Sequence, residues 1–443
     1  MKRGEFLKLT GAAGLAAILP VPSWAFSEKK IKTAHIGVGN MGFSDLEAIS
    51  SHKDVTVFAL CDVDKNYLLQ ASKAFPEAKI YSDYRLMLSE LKNEIGAVIV
   101  STPDHTHAPA SLMAMELGIP VYCQKPLAHH VSEVRDMMQL AKEKNLITQM
   151  GIQVHSFYDY KLASILIKGG IIGKVSTVIA WSNKNWGYDG AIPDGSDTVP
   201  NTLDWNLWQG TAKARPYKKG YYHPANWRKL IDYGCATLGD MGVHIFDTPY
   251  NSLDLDVPLT VMNECRMPTN FGHPEKNKVT YTFSQTPYTT KTLTWIWYDG
   301  DLPEQRAEIV LPDADKLPEQ GAMFVGEKGR LLLPHFMQFP KLIINGKYQK
   351  FNASNFDKNG EAGTPTKDYG KESLKHYHEF IDACSGKATC SAPFSYSGKL
   401  TETILLGVIA GRFPNKKLHW NKVNAQFEET EANEFLKGTY RKF

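Results

Sequence analysis

Three things are scarce in this sequence. There are only six cysteines in 443 residues, and no pair has the C-x-x-C spacing of a zinc or redox centre. That excludes a disulfide-stapled scaffold and a zinc ribbon. Net charge is almost absent: 50 Lys and Arg face 47 Asp and Glu, leaving +3. With no basic block to follow a phosphate backbone, nucleic acid is not an expected partner. Long apolar runs are missing too. The stretch Leu9 to Leu19 is too short for the ~30 Å core of a bilayer, no later stretch reaches ~18 uncharged apolar residues, and stable membrane insertion is not expected. No internal repeat has the period of a solenoid or propeller.

What is present reads as globular, with 43% hydrophobic and 11% aromatic residues and length for two or three domains of ~150 residues each. Residues 1–25 stand apart. Lys2, Arg3 and Lys8 precede a small apolar stretch, and Ser23-Trp24-Ala25 offers a small-x-small cleavage site, so an export signal and a periplasmic destination are expected; a buried N-terminal helix is the alternative. The run Arg3-Gly4-Glu5-Phe6-Leu7-Lys8 is similar to a twin-arginine signal with Gly4 where the second arginine belongs, which leaves the route open. The first cysteine is Cys61, so the signal offers no site for lipidation. Cys61 and Cys123 fall on predicted buried strands and act as small apolar residues, whereas Cys384 and Cys390 are close enough to suggest a bridge in an oxidising compartment.

From residue 31 to 151 short β-branched runs alternate with helical patterns. Strands are expected at 34–38, 55–61, 97–101, 121–124 and 147–151, with helices at 41–51, 65–74, 84–91, 108–117 and 131–144. Such alternation predicts an α/β unit with a doubly wound parallel sheet covered on both faces. Residues 152–443 change to longer period-2 strands, at 175–183, 279–284, 292–298 and 329–334, interrupted by helices at 158–168, 240–253, 373–385 and 397–412. A mainly antiparallel sheet is expected there. Residues 183–239 read as an extended loop, and loops of that length usually serve function.

Gly37-Val38-Gly39-Asn40-Met41-Gly42 follows the first strand and opens the first helix, the setting in which a glycine-rich turn brings backbone N–H groups to a pyrophosphate. Asp62 ends the next strand 20 residues after Gly42, where a carboxylate accepts hydrogen bonds from the adenosine ribose and repels a 2′-phosphate. NAD is therefore favoured over NADP, with Lys65 the one nearby cation. The loop Ser101-Thr102-Pro103-Asp104-His105-Thr106-His107 ends the fourth strand at the ligand-binding edge. Thr102, Pro103 and His107 are expected beside the cofactor; either histidine could instead be a helix-start residue.

Two further segments carry chemistry. Gln124-Lys125-Pro126 ends the fifth strand at that same edge, where an amine can contact both a substrate hydroxyl and the nicotinamide ribose. Asp240 and His244 stand four apart on a predicted helix and so share a face. The carboxylate can orient the imidazole, or join it on one substrate hydroxyl, and an imidazole is suited to take an alcohol proton. The bland alternatives are an exposed lysine before a turn, a capping aspartate and a packed histidine. The Asp240/His244 spacing would also suit a metal, but no third ligand is apparent and none is expected.

With Gly37-x-Gly39-x-x-Gly42, Asp62, the Thr102–His107 loop, Lys125-Pro126, Asp240-x-x-x-His244 and Val325-Gly326-Glu327-Lys328-Gly329, the chain resembles the Gfo/Idh/MocA family over its whole mature length. The resemblance implies a Rossmann domain over 31–151 and a substrate-binding and oligomerisation domain over 152–443, the latter with an open-faced sheet that often joins subunits into a homo-oligomer. It also implies Lys125, Asp240 and His244 as the catalytic group, with His244 as base and Lys125 polarising the reacting oxygen. Gly37, Gly39, Asn40, Met41, Gly42, Asp62, Thr102, Pro103, His107, Gln124 and Lys125 would be the cofactor contacts. Gln124 departs from the family's usual Glu and removes a negative charge beside Lys125.

Between Trp181 and Tyr233 lie ten Trp and Tyr residues. They suit either the C–H faces of a sugar or a small core or subunit interface of their own. Gln153, Asn185, Trp186, Trp227, Arg228 and His244 form the expected substrate-binding set. Three functions remain open: a sugar or glycoside oxidoreductase, with NAD held through turnover if exported; a redox-neutral, NAD-dependent glycoside hydrolase that oxidises, eliminates and reduces in turn; and a noncatalytic NAD- or sugar-binding protein.

Overall fold

Small and β-branched residues buried on both faces build the first sheet. In a computed structural model describing residues 30–443 apart from Gln305, six strands run parallel: β1 (Ile31–Ile36), β2 (Val55–Cys61), β3 (Lys79–Tyr81), β4 (Ala97–Val100), β5 (Val121–Cys123) and β6 (Thr148–Met150). Their spatial order is β3-β2-β1-β4-β5-β6, so strand order reverses between β1 and β4 and opens a ligand crevice at their C-terminal ends. Helices α1 (Met41–Ser50), α2 (Lys65–Ala74), α3 (Tyr84–Leu91), α4 (Asp104–Glu116) and α5 (Val131–Glu143) connect them. Asp64 and Asp83 cap α2 and α3 by accepting from the backbone N–H of Asn66 and Arg85. The expected export signal at residues 1–25 lies outside the described residues.

Two boundaries differ from the sequence reading. α4 begins at Asp104 rather than Ala108, because Pro103 holds the extended conformation that precedes a first turn. β3 escaped notice because it is three residues long and mostly exposed at the sheet edge.

The second half supplies α6 (Tyr158–Lys168), β7 (Val175–Ser182), α7 (Trp205–Gln209), α8 (Val243–Ser252), β8 (Thr260–Glu264), β9 (Lys278–Ser284), β10 (Thr289–Asp299), β11 (Gln320–Gly326), β12 (Gly329–Pro334), β13 (Lys341–Ile344), β14 (Lys347–Gln349), α9 (Tyr369–Cys384), α10 (Phe394–Ala410), β15 (Leu418–Asn421) and β16 (Gln426–Phe427). Its ten strands form one sheet, antiparallel except where β7 pairs with β10. Alternation is clean on β9: Val279, Tyr281 and Phe283 are buried, while Thr280 and Thr282 point to the other face. That second face is not wholly open as expected. Over Ile179, Trp181 and Met323 it is covered by Ile309, Leu311 and Leu317, while Thr280 and Thr282 remain partly exposed on it.

The second half also returns to the first sheet. Tyr377, Phe380 and Ile381 of α9 pack with Ile99 and Tyr122, and the rings of Tyr122 and Tyr377 stack at 5.4 Å. Cys384 joins this layer. It and Cys390 remain thiols, so the suggested bridge is not formed; burial pushes the Cys390 thiol up to about 12. Among the described residues no helix is long and apolar enough to cross a membrane.

Candidate active site

A cleft of about 600 Å³ runs along the C-terminal ends of the parallel strands and reaches into the second half. One end is a backbone cradle. Gly37 has φ +82°, and a Cβ there would lie 2.6 Å from the Ser101 carbonyl; a Cβ on Gly39 would fall 2.3 Å from the Tyr67 ring, and one on Gly42 2.2 Å from the Gly37 carbonyl. Only glycine fits all three. Helix α1 has no side-chain cap; the N–H groups of Gly42 and Phe43 turn back to the Gly39 and Asn40 carbonyls, and the Met41 N–H, with no backbone acceptor, is left for a ligand phosphate. Asp62 accepts from the N–H of Val38 (2.8 Å) and Asp64 (2.9 Å). Burial pushes its carboxyl up to about 6, against the pull of those two N–H groups. Further along, the buried Oγ1 of Thr102 has no partner. A glycine cradle, a ribose-height carboxylate and an unpaired buried hydroxyl in one cleft fit a dinucleotide.

At the other end stand three titratable groups from three segments. Lys125 follows β5, with a cis bond to Pro126. Its Nζ donates to the Asp240 carbonyl oxygen at 2.9 Å and to Oδ1 at 3.1 Å. Asp240 lies in a widened π-turn, Leu238–Gly242, that leads into α8. Burial works against its charge, but Lys125, Arg228 and Lys184 outweigh that and hold the carboxyl well below the usual range. The Trp186 indole N–H donates to Oδ2 at 2.7 Å. His244 lines the cleft, and its buried Nδ1 has no partner, which leaves Nε2 as the nitrogen open to ligand. Burial first, then Lys125 and His335, drives its pKa far down, so the ring is neutral, with an unprotonated nitrogen but weakened basicity. Asp104, at the start of α4, accepts from the Cys235 N–H at 3.0 Å. Burial pushes its carboxyl up to about 7, with Arg228 and Lys125 resisting.

Gln124 is explained by its neighbour. Its Nε2 donates to both oxygens of Asp45, at 3.0 and 2.9 Å, while Ser101 Oγ and Tyr377 OH each donate to Asp45 at 2.6 Å. A buried carboxylate already stands behind residue 124, so the position needs a donor. The charge that Gln124 lacks is present one residue deeper, on α1.

Several expectations need correction. Asp240 and His244 do not hydrogen-bond, because the π-turn widens the four-residue spacing and the carboxylate is taken by Lys125 and Trp186. Both ring nitrogens of His107 face carbonyl oxygens, those of Pro126 and Thr102, each at 2.7 Å, so the ring lines the cleft but ties two loops together. His105 is likewise held by the carbonyls of Trp208 and Tyr233. Asn185 is exposed and outside the cleft, and Trp186 reaches Asp240 from behind rather than lining the cavity. Trp227 lines it with its indole N–H donated to Pro224, and Gln153 lines it while donating to Tyr377 OH. Most aromatics of the long loop pack on one another: Trp208, Tyr217, Tyr222, Trp227 and Tyr233 form a core of their own, and the Trp205 and Trp208 rings stack at 4.8 Å. The small-core reading of those aromatics is the one observed.

Sequence reasoning missed Lys184, which lies 3.8 Å from Asp240 Oδ2, and His335, whose Nδ1 is hydrogen-bonded to Tyr160 OH. It also missed Asp45. Lys184 and His335 follow the ends of β7 and β12, which become neighbours of α8 only in the folded sheet, so no local pattern marks them.

A sequence profile for the Gfo/Idh/MocA oxidoreductase family, NAD-binding Rossmann fold, matches residues 31–152, and the same family's C-terminal alpha/beta domain profile matches 161–307. A glycosyl hydrolase family 109 protein of Stenotrophomonas maltophilia is 35% identical over 28% of this chain and 29% of its own length. Levoglucosan dehydrogenase of Pseudarthrobacter phenanthrenivorans is 23% identical over 42% and 40%. The matches span half or less of the length of these curated relatives. Among solved structures, levoglucosan dehydrogenase with NADH and levoglucosan has a TM-score of 0.62 at 15% identity, covering 88% of this chain and 98% of that one. An oxidoreductase domain protein from Kribbella flavida has 0.61 at 16%, covering 88% and 99%. These two likenesses are of fold.

Proposed function

Because this chain belongs to the Gfo/Idh/MocA oxidoreductase family, we propose that it moves hydride between the carbinol of a sugar or glycoside and a nicotinamide dinucleotide. The observation that carries the reading is a lysine–aspartate ion pair beside a neutral, buried histidine, in the same cleft as a glycine cradle. Gly37, Gly39, Gly42 and the α1 N-terminus would hold the pyrophosphate, with Asp62 on the adenosine ribose and Gln124 and Lys125 near the nicotinamide ribose. When bound, the dinucleotide supplies the hydride acceptor. Nε2 of His244 takes the hydroxyl proton of the substrate, Lys125 Nζ donates to the same oxygen, and Asp240 aims the Lys125 ammonium. Asp62 and Asp64 at the ribose end disfavour a 2′-phosphate, which supports NAD over NADP.

The test is direct. Purified protein is denatured and its supernatant assayed for NAD, and NADH formation is followed at 340 nm with added NAD and a panel of sugars and glycosides. The reading predicts turnover that Lys125→Ala and His244→Ala each lower by orders of magnitude; unchanged turnover in both variants refutes it. The similarity to a glycosyl hydrolase family 109 protein supports a second reading, a redox-neutral glycosidase with retained NAD. Cleavage of a chromogenic glycoside without added NAD distinguishes it. Export through the residue 1–25 signal with cofactor already bound, and assembly into a homo-oligomer, complete the proposal.

A further inference from the structure

The charges around Asp240 do not balance. A single carboxylate has Lys125 Nζ at 3.1 Å, Arg228 Nε at 3.4 Å and Lys184 Nζ at 3.8 Å, besides the neutral indole N–H of Trp186. Asp104 is the other acid at this end. If it is ionised, three cations face two carboxylates; if it is protonated, they face one. His244 and His335 add no compensating negative charge, and burial keeps both neutral.

The surplus sits on donors that the protein leaves free. Among the described residues the Lys184 ammonium makes no hydrogen bond. Arg228 makes only a long one, from NH1 to the Ala225 carbonyl at 3.4 Å. Its guanidinium lies over the Trp227 ring, 4.4 Å from the centroid, which fixes its plane beside the cleft. Lys125 differs, since it already holds two acceptors on Asp240. Lys184 and Arg228 both line the cleft, and partly desolvated cations with unspent N–H groups recognise an anion. The glycine cradle formed by another segment provides separately for the dinucleotide phosphates.

We infer that the substrate is an acidic sugar, bearing a carboxylate or phosphate ester that Lys184 and Arg228 receive while Lys125 and His244 act on a hydroxyl. This rests on the reading of the cleft as a sugar oxidoreductase site, and it names the substrate class for that site. An anion there would also offset the positive neighbours that depress His244 and so make it a stronger base in the complex.

The experiment measures binding separately from turnover. Titration calorimetry on the NAD-loaded protein uses matched sets: glucose, glucuronate and glucose 6-phosphate, and the galactose and mannose equivalents. At least one acid should bind at least 10-fold tighter than its neutral twin, with a preference that shrinks as salt rises from 50 to 300 mM. The carboxylate and phosphate arms tell which anion is meant. Lys184 is half exposed, so Lys184→Met should fold normally, as judged by melting temperature, and should reduce the preference at least 5-fold with NAD affinity unchanged. A neutral sugar binding as tightly as its acid overturns the inference, as does no acid binding at 10 mM, or a Lys184→Met variant that weakens NAD rather than the acid. Failure of the oxidoreductase reading looks different: acids bind selectively but NADH never forms.

Discussion

The Asp45–Gln124 contact makes a quantitative prediction about why this chain carries glutamine before Lys125. Gln124→Glu replaces an amide that donates to both Asp45 oxygens at about 3 Å with a second carboxylate at that distance. Two unit charges 3 Å apart repel by roughly 5 kcal/mol at an effective dielectric of 20. The buried pair escapes part of this by taking up one proton. Burial has already raised Asp45 above the usual carboxylate range, so that uptake costs less than the full repulsion and relieves roughly half of it. Adding the lost hydrogen bond, the expected destabilisation is about 3 kcal/mol. The sign of the pH dependence follows. The folded variant binds one more proton than the unfolded chain, so its penalty grows as pH rises and should shrink by about 2 kcal/mol at pH 5. Asp45→Asn placed in the Gln124→Glu background restores a donor opposite the new acid and should recover stability to within about 1 kcal/mol. Equilibrium urea unfolding of wild type, single and double variants at pH 5.0 and 7.5 reads all of this. A Gln124→Glu protein as stable as wild type at pH 7.5, a penalty larger at pH 5, or no rescue by Asp45→Asn would refute the reasoning.

Four further outcomes follow from the cleft and the core. Lys125→Ala and His244→Ala should each lower kcat by about 10²–10⁴-fold in the 340 nm assay while leaving the melting temperature within a few degrees, as expected for loss of proton transfer and oxyanion stabilisation. Asp62→Ala should raise the KM for NAD by about 10-fold and narrow the preference over NADP, since the ribose acceptor and the charge opposing a 2′-phosphate go together. Gly37→Ala should abolish NAD retention and lower stability by more than about 1 kcal/mol, because the new methyl meets the Ser101 carbonyl. Finally, His35 is pushed down to about 3, and His105, His107, His130 and His273 to about 4, all chiefly by burial. The folded protein therefore binds fewer protons than the unfolded chain between pH 4 and 6.5, and stability should rise steeply with pH across that window. Asp104 and Glu133, raised to about 7, give a shallower opposing slope up to pH 7. Thermal unfolding scanned from pH 4 to 8 checks the shape.

The nucleotide end was legible because its signal is local. Gly37, Gly39 and Gly42 lie within six residues at a strand–helix junction, and the strand after the next helix ends at Asp62. Lys125 was found on the same logic, as a polar residue before a proline at a strand end. The substrate end was only half legible. Asp240 and His244 were found together, but a π-turn and an α-turn look alike as a four-residue spacing, so the lost contact between them could not be foreseen. Within one irregular loop Lys184 lines the cleft and Asn185 faces solvent, because no periodicity fixes which of two neighbours turns inward. The aromatics show the same difficulty: the residue types that would stack on a sugar also stack on each other, and composition does not choose between them.

The surplus residue in the Leu238–Gly242 turn also sets how this scaffold can be rewired. A helix carrying one extra residue can return to ordinary winding through deletion of a single codon, and the segment before the deletion then swings by about 100° relative to α8. Losing Met241 would carry the Asp240 carboxylate away from Lys125 while leaving His244, both sheets and the glycine cradle in place. A lineage could thus retire or redirect the reaction by losing three bases, and a descendant that kept every other motif would still read as an enzyme.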